Sequence, residues 1–263
     1  MHPLIVLGIG FVILSLVFVL VWAVQLRTQN AGMVDPVWSW SLGFLGVLYG
    51  VLGTGETTSR VLVALLAGSW GLRLGGHLWL RNYGKPEDGR YRRFREQWGV
   101  RANRNMFWFF QFQVVLAVLL SLGFIVVAYR TSAPPLWATG AAILVWAASV
   151  VGESLADWQL ERFKKDPQNR GKVCRAGLWR YSRHPNYFFE CLHWPTYILL
   201  GIGSPWLALT FVPPAVMWFL LLKVSGIPLT EQQTAKTRPE YADYIRTTSA
   251  FIPWPPKAVR PQP

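Results

Sequence analysis

Residues Leu4 to Val24 read LIVLGIGFVILSLVFVLVWAV, an unbroken apolar stretch without one charged side chain. About 20 such residues in a helix match the hydrocarbon thickness of a bilayer. No basic segment precedes the stretch and no small-residue cleavage site follows it, so a retained membrane helix is expected and not a signal peptide. Working outward, further spans are expected at Val37–Gly53, Val61–Leu80, Met106–Tyr129, Leu136–Leu160, Tyr187–Gly203 and Pro205–Val224. The second and sixth of the whole set are short. Pro213-Pro214 should break or kink the last one, because proline removes a helical donor. The expected fold is all-α: a polytopic membrane bundle of about seven helices. It forms a single domain over residues 1–263, with a Pro-rich cytoplasmic tail at 253–263.

Composition agrees with the spans. Apolar residues make up 52% of the chain, charged residues only 15%, and the mean hydropathy is +0.27. A soluble chain carries roughly 25% charged residues, which rules out a disordered chain and argues against an ordinary cytosolic enzyme. The net charge of +13 would suggest nucleic acid in a soluble protein. Here the cations lie between apolar runs, which favours membrane lipid and phosphate-bearing cofactors and argues against nucleic acid. Cys174 and Cys191 form neither a disulfide framework nor a metal spacing, and no metal is expected. Nothing in the chain implies an obligate protein partner.

The loops Arg81–Asn105 and Glu161–Asn186 hold eight Lys or Arg each, and the segment from Lys223 onward holds six, of 26 in all. Arg27 lies on the same side, and the opposite loops offer Arg60 and Arg130. The positive-inside rule then puts the N-terminus outside and the C-terminus in the cytoplasm. An odd number of spans requires that split.

Polar groups inside hydrocarbon are costly and usually face a bundle interior or a wet cavity. Arg73 and His77 share a face of the third span. Glu153, Asp157 and Glu161 form a stripe at i, i+4, i+8 in the fifth, and Asn186, Glu190 and His193 share a face at the start of the sixth. Asp35 enters the second span, and Gln111 and Gln113 lie near the start of the fourth. Nearly all of them lie at one depth, on the cytoplasmic side; Glu56 is the exception. They either pair with one another or line a polar pocket open to the cytosol. The stretches Arg81–Tyr91 and Asp166–Lys172 mix cations, amides and aromatics, a composition that suits phosphate and flat rings and equally suits lipid headgroups.

The most specific motif is Gly177-Leu178-Trp179-Arg180-Tyr181-Ser182-Arg183-His184-Pro185-Asn186-Tyr187 with Glu190 after it. It resembles a signature of the bacterial steroid-5-alpha-reductase-like membrane proteins. The likeness continues in Val34-Asp35, Glu87 to Tyr91, Asp157, Phe163 to Lys172, Ser225 to Pro228, Tyr241, Tyr244 and Thr248 to Trp254. The wider superfamily includes steroid and sterol reductases and the isoprenylcysteine and phospholipid methyltransferases. Its reductases hold NADPH in the cytoplasmic half of a helical bundle. The resemblance implies an NADPH site drawn from Arg81, Asn82, Asp88, Arg90, Tyr91, Glu153, Asp157, Lys164, Asn169, Lys172, Trp179, Arg183, His184, Asn186, Tyr187, Glu190, Tyr241 and Tyr244. Glu153 and Lys164 stand where steroid reductases have Asn and Arg, while Asp157, Asn186 and Glu190 match.

The steroid enzymes' adjacent Gln-Glu pair in the second span is missing, and His77 lies near the place of their ketone-binding Tyr. The expected catalytic residues are therefore His77, as donor to a substrate carbonyl, and Asp35, as its orienting carboxylate or part of a proton path. The expected activity is NADPH-dependent reduction of an activated C=C bond in a lipophilic enone, at a bacterial cytoplasmic membrane. The alternative is S-adenosylmethionine-dependent methylation of a lipid or prenylated thiol. Arg183-His184-Pro185 suits that nearly as well, although the paired glutamates usual in methyltransferases are replaced here by Glu231-Gln232-Gln233. A non-catalytic lipid-binding or transport protein is the third class.

Overall fold

The computed structural model describes residues 1–257, and among these the secondary structure is helical, with one isolated parallel bridge between Ser182 and Ser249. Five stretches are long and apolar enough to cross a membrane: Pro3–Thr28, Thr57–Asn82, Gly89–Ala128, Leu136–Lys165 and Leu207–Thr237. The two spans expected to be short are helical but fall outside that set. Val34–Leu52 carries Asp35, Pro36 and two serines, and the Tyr187–Gly203 region is divided into helices of nine and seven residues on either side of Trp194. Of the Pro-rich tail, Pro253 to Lys257 lack regular structure, and residues 258–263 lie outside the described residues.

The chain divides into two compact units. The first comprises Met1–Pro135 and Leu200–Pro213. It holds α1 (Pro3–Thr28), α2 (Val34–Leu52), α3 (Thr57–Asn82), α4 (Gly89–Trp98), α5 (Ala102–Leu120) and α6 (Leu122–Ala128). α2 and α3 form a hairpin that meets along small residues. A Cβ on Gly71 would stand 2.6 Å from the Cα of Gly43, and one on Gly50 would stand 2.6 Å from the carbonyl of Arg60. Lipid tails are as apolar as leucine, so helices in hydrocarbon associate through this close backbone approach.

The hairpin's turn is tied at both ends. Glu56 caps α3, accepting from the Thr58 and Ser59 amides at 2.8 and 2.9 Å. Those bonds hold its carboxyl down at about 2. Arg60 donates to the Gly50 and Val51 carbonyls at 2.9 Å each, satisfying acceptors orphaned at the end of α2. Glu56 is thus a cap, which explains why it stands apart from the other carboxylates. The expected fourth span is interrupted at Ser121, between α5 and α6. Its hydroxyl back-bonds to the Val118 carbonyl at 2.7 Å and shares a hydrogen with Tyr49 at 3.0 Å, a pattern that bends helices.

The second unit comprises Leu136–Leu199 and the chain from Pro214 onward. It holds α7 (Leu136–Lys165) and α8 (Pro185–His193), and α9 (Pro195–Gly201) straddles the division at Leu200. α10 (Val212–Phe219) straddles the division, and α11 (Ile227–Thr237) and α12 (Tyr241–Thr247) follow it. α7 and α8 pack at Gly152, where a Cβ would run into the Phe189 ring, and Ser149 donates to the Phe189 carbonyl at 2.8 Å. The last expected span changes character at Pro213 and Pro214: a 3-10 stretch, Leu207–Phe211, ends just before them and α10 begins at Val212. The two prolines occupy the first turn of α10, where the amides have no intrahelical acceptor to lose. A further irregularity follows α10, as a π-helical turn at Leu220–Val224.

Candidate functional site

In the second unit, the signature motif is built onto α7 from one side and onto the C-terminal segment from the other. Gly177 adopts φ +58°, and the Gln159 side chain fills the space a Cβ would need. Gln159 accepts from the Leu178 amide at 2.9 Å, and the Trp179 indole donates to the Ala156 carbonyl at 2.9 Å. Tyr244 donates to the carbonyls of Trp179 and Ser182. The Arg183 amide donates to the Ser249 carbonyl at 2.8 Å, and the Trp254 amide to that of Tyr181 at 2.9 Å. The polar atoms of Trp179 and Tyr244 are therefore committed to the scaffold.

On that scaffold, three motif residues, Arg183, His184 and Tyr187, converge with α11, joined by Tyr241 of α12. Arg183 Nε donates to Glu231 Oε1 at 2.7 Å, and its Nη1 donates to the Ile245 and Thr248 carbonyls. His184 Nε2 lies 3.2 Å from the same Glu231 oxygen, and the Tyr241 hydroxyl reaches it at 3.5 Å. The His184 and Tyr187 rings stack in parallel, 5.2 Å apart and 4° from coplanar, and Tyr187 shares a hydrogen bond with Thr230 at 3.2 Å. Burial holds His184 below the ordinary imidazole value, against the pull of Glu231.

Asn186, at the start of α8, donates from Nδ2 to Asp157 Oδ1 on α7 at 3.4 Å. Among the described residues its Oδ1 is buried and has no hydrogen-bond partner. Glu153 and Glu190 are both buried, as is His193, which pairs with Tyr197 at 3.2 Å. Lys164 stands exposed in the last turn of α7, and Arg170 and Lys172 on the α7–α8 connection, where Asn169 folds the loop back onto the Phe163 carbonyl. The sequence-derived set is thus brought together at Asp157, Arg183, His184, Asn186, Tyr187 and Tyr241. Glu231 and Thr230 were not in it. One signal for Glu231 was present: it is the first carboxylate after Glu190, standing alone behind an apolar run.

In the first unit, Asp35 is the hub. It accepts from Arg90 Nη2 at 2.7 Å on one oxygen and from the Tyr91 hydroxyl on the other. Asp88 caps α4 through the Arg90 amide at 2.9 Å and also binds the Arg90 side chain. Tyr91 is buried and packs edge-on against Phe94 and Phe109. Glu87 accepts from Arg95 and from the Ala31 amide, and Asn82 donates to the Gly32 carbonyl at 2.8 Å. A cavity of about 230 Å³ lies between these two loops, lined by Asn30, Gly32, Arg81, Asn82, Lys85, Pro86 and Asp88. His77 is half-buried on α3. The partners the structure gives Asp35 are the cofactor candidates Arg90 and Tyr91. No group of three or more His, Cys, Asp or Glu side chains able to hold a metal ion occurs among the described residues.

Comparison with known proteins adds a family. Residues 21–248 match the family described as "Protein of unknown function (DUF1295)". An uncharacterised protein of the fission yeast Schizosaccharomyces pombe is 28% identical to the chain, covering 88% of it and 75% of the yeast protein. A probable O-methyltransferase of Ustilaginoidea virens is 40% identical over 58 residues, which is 22% of this chain and 20% of that protein. No solved structure matches. The family match spans both units' motif residues and nearly all of the helical fold described above, and the chain belongs to the DUF1295 family, the steroid 5-alpha-reductase-like group.

Proposed function

We propose that the protein is a membrane-embedded, NADPH-dependent reductase of an activated carbon–carbon double bond in a lipophilic enone, steroid-like or isoprenoid. The observation that carries this reading is the buried, unpartnered Oδ1 of Asn186, beside Asp157 and on the same motif as the His184–Tyr187 stack. A buried polar atom without a partner costs roughly 1–3 kcal/mol, and a bound carboxamide or ribose hydroxyl would remove that cost. The residues present fit a nucleotide. Asn186 supplies an acceptor, Tyr187 a ring face, and Arg170 and Lys172 exposed cations for phosphate.

When bound, NADPH supplies the hydride that the β-carbon of the enone receives. The chain's own part is to bind, orient and donate protons. Asp157 holds Asn186, α11 holds His184 and Tyr187, and His77 on α3 is the candidate donor to the substrate carbonyl. Asp35, with Arg90 and Tyr91, fixes the loop before α4 beneath its charge network. This reading carries a seven-span arrangement with the N-terminus outside, the C-terminus and cofactor site on the cytoplasmic side, and residence in a bacterial inner membrane.

A second reading is favoured by the 58-residue likeness to a probable O-methyltransferase: transfer of a methyl group from S-adenosylmethionine to a lipophilic acceptor. Calorimetric titration of the detergent-purified protein with NADPH, NADH and S-adenosylmethionine separates the two. Binding of NADPH ahead of NADH supports the reductase. Binding of S-adenosylmethionine alone replaces it with the transferase, and binding of neither defeats both.

A further inference from the structure

We propose that Glu231 is a positioning residue for His184: its carboxylate fixes the imidazole as the Nε2–H tautomer and leaves Nδ1 as a hydrogen-bond acceptor for a ligand N–H or O–H. Glu231 Oε1 already accepts from Arg183 Nε at 2.7 Å and from the Tyr241 hydroxyl at 3.5 Å. A guanidinium is always charged and only donates, so the carboxyl facing it is ionised and only accepts. His184 Nε2, 3.2 Å from the same oxygen, makes a hydrogen bond there only as a donor. A neutral imidazole carries one N–H, and the lone pair therefore falls to Nδ1.

The doubly protonated ring is disfavoured. Burial holds His184 below the ordinary imidazole value, and the Arg183 charge beside it acts in the same direction. The ring plane is fixed as firmly as its tautomer. It stacks on Tyr187, whose hydroxyl is held by Thr230, the residue before Glu231, and the His184 amide is held by Ser182 Oγ at 3.1 Å. Two adjacent residues of α11 thus set both rings.

The consequence concerns ligand chemistry and rests on the nucleotide reading above. Arg183 is 8% exposed, with its Nε donating to Glu231 and its Nη1 to two backbone carbonyls. A neutral His184 offering an acceptor suits a carboxamide, an exocyclic amine or a ribose hydroxyl. It does not suit a phosphate, which has acceptors to offer and no donor. The Arg183-His184 pair therefore reads the uncharged part of a cofactor.

The test is nitrogen NMR of detergent-solubilised protein labelled with ¹⁵N-histidine. The chain has four histidines, and His184→Gln assigns the resonance. Near neutral pH, Nε2 is expected to be protonated and Nδ1 bare. Glu231→Gln, whose amide oxygen still accepts, should keep that state, and Glu231→Ala should let the tautomers average. An Nδ1–H tautomer or an imidazolium in the wild-type protein overturns the proposal, whether or not the variants fold. So does an unchanged spectrum in folded Glu231→Ala. Adding NADPH is then a separate readout. The expected tautomer with an Nδ1 signal that NADPH fails to move leaves the role of Glu231 standing and removes the nucleotide reading.

Discussion

Arg183 and Glu231, 48 residues apart, meet at 2.7 Å with side chains only 8% and 19% exposed. The pair joins the signature motif to α11, and through Arg183 Nη1 to the carbonyls that close α12. Its value lies in position more than in net energy, because removing two charges from water offsets much of their attraction.

Breaking this pair from one side should destabilise the protein strongly. Arg183→Met leaves Glu231 facing His184 without its counterion, and Glu231→Ala leaves a buried guanidinium. Each is expected to cost about 3 kcal/mol, read as a lowered unfolding midpoint by tryptophan fluorescence in detergent. Arg183→Lys should recover little, since lysine cannot reach the carboxylate and the two carbonyls together. Midpoints within a degree or so of wild type would show the contact to be dispensable.

Asn186 should behave in the opposite way. Asn186→Ala deletes an unpartnered acceptor and a long 3.4 Å bond to Asp157, so little stability is lost. NADPH affinity should fall by roughly tenfold or more, the equivalent of one good hydrogen bond of about 1.4 kcal/mol. A titration of the folded variant that matched wild type would place the cofactor elsewhere or remove it.

His184 makes stability depend on pH, with a definite sign. Its folded value lies below the unfolded value of about 6.5. Between the two, the unfolded chain binds more protons than the folded one. Stability is therefore complete above about pH 6.5 and is lost as the pH falls below it. Midpoints measured between pH 5 and 8 should fall more steeply on the acid side for wild type than for His184→Gln. Parallel curves would mean that His184 does not carry this dependence.

The α2–α3 hairpin should fail on a single bulky substitution. Gly71→Leu puts a side chain where the backbone of Gly43 lies 2.6 Å from the first added carbon. The helices must then separate along their whole seam, because tightly packed interiors do not yield locally. Gly76→Ala on the same helix, with nothing within 4 Å of the added carbon, should be neutral or slightly stabilising. Equal expression and unfolding midpoints for the two would contradict the close approach.

The sequence by itself determined the helical membrane architecture, since the bilayer leaves a chain of long apolar runs few alternatives to helices that satisfy their own backbone. It also marked the signature residues from Gly177 to Glu190, because they form one contiguous motif, although their contacts reach α7, α11 and α12. Asp157 and Asn186 were legible as well, through their spacing on two helices. The tertiary structure alone decided what each group spends its charge on. Asp35 was read as the orienting carboxylate of His77 or as part of a proton path; the structure adds two partners that no spacing announced, Arg90 and Tyr91, 55 and 56 residues away. Glu231 looked like half of a missing pair, and it is the acceptor around which Arg183, His184 and Tyr241 are arranged. Periodicity reports which face of a helix a side chain occupies. Which carboxylate meets which cation depends on how separate helices pack, and no spacing along the chain encodes that.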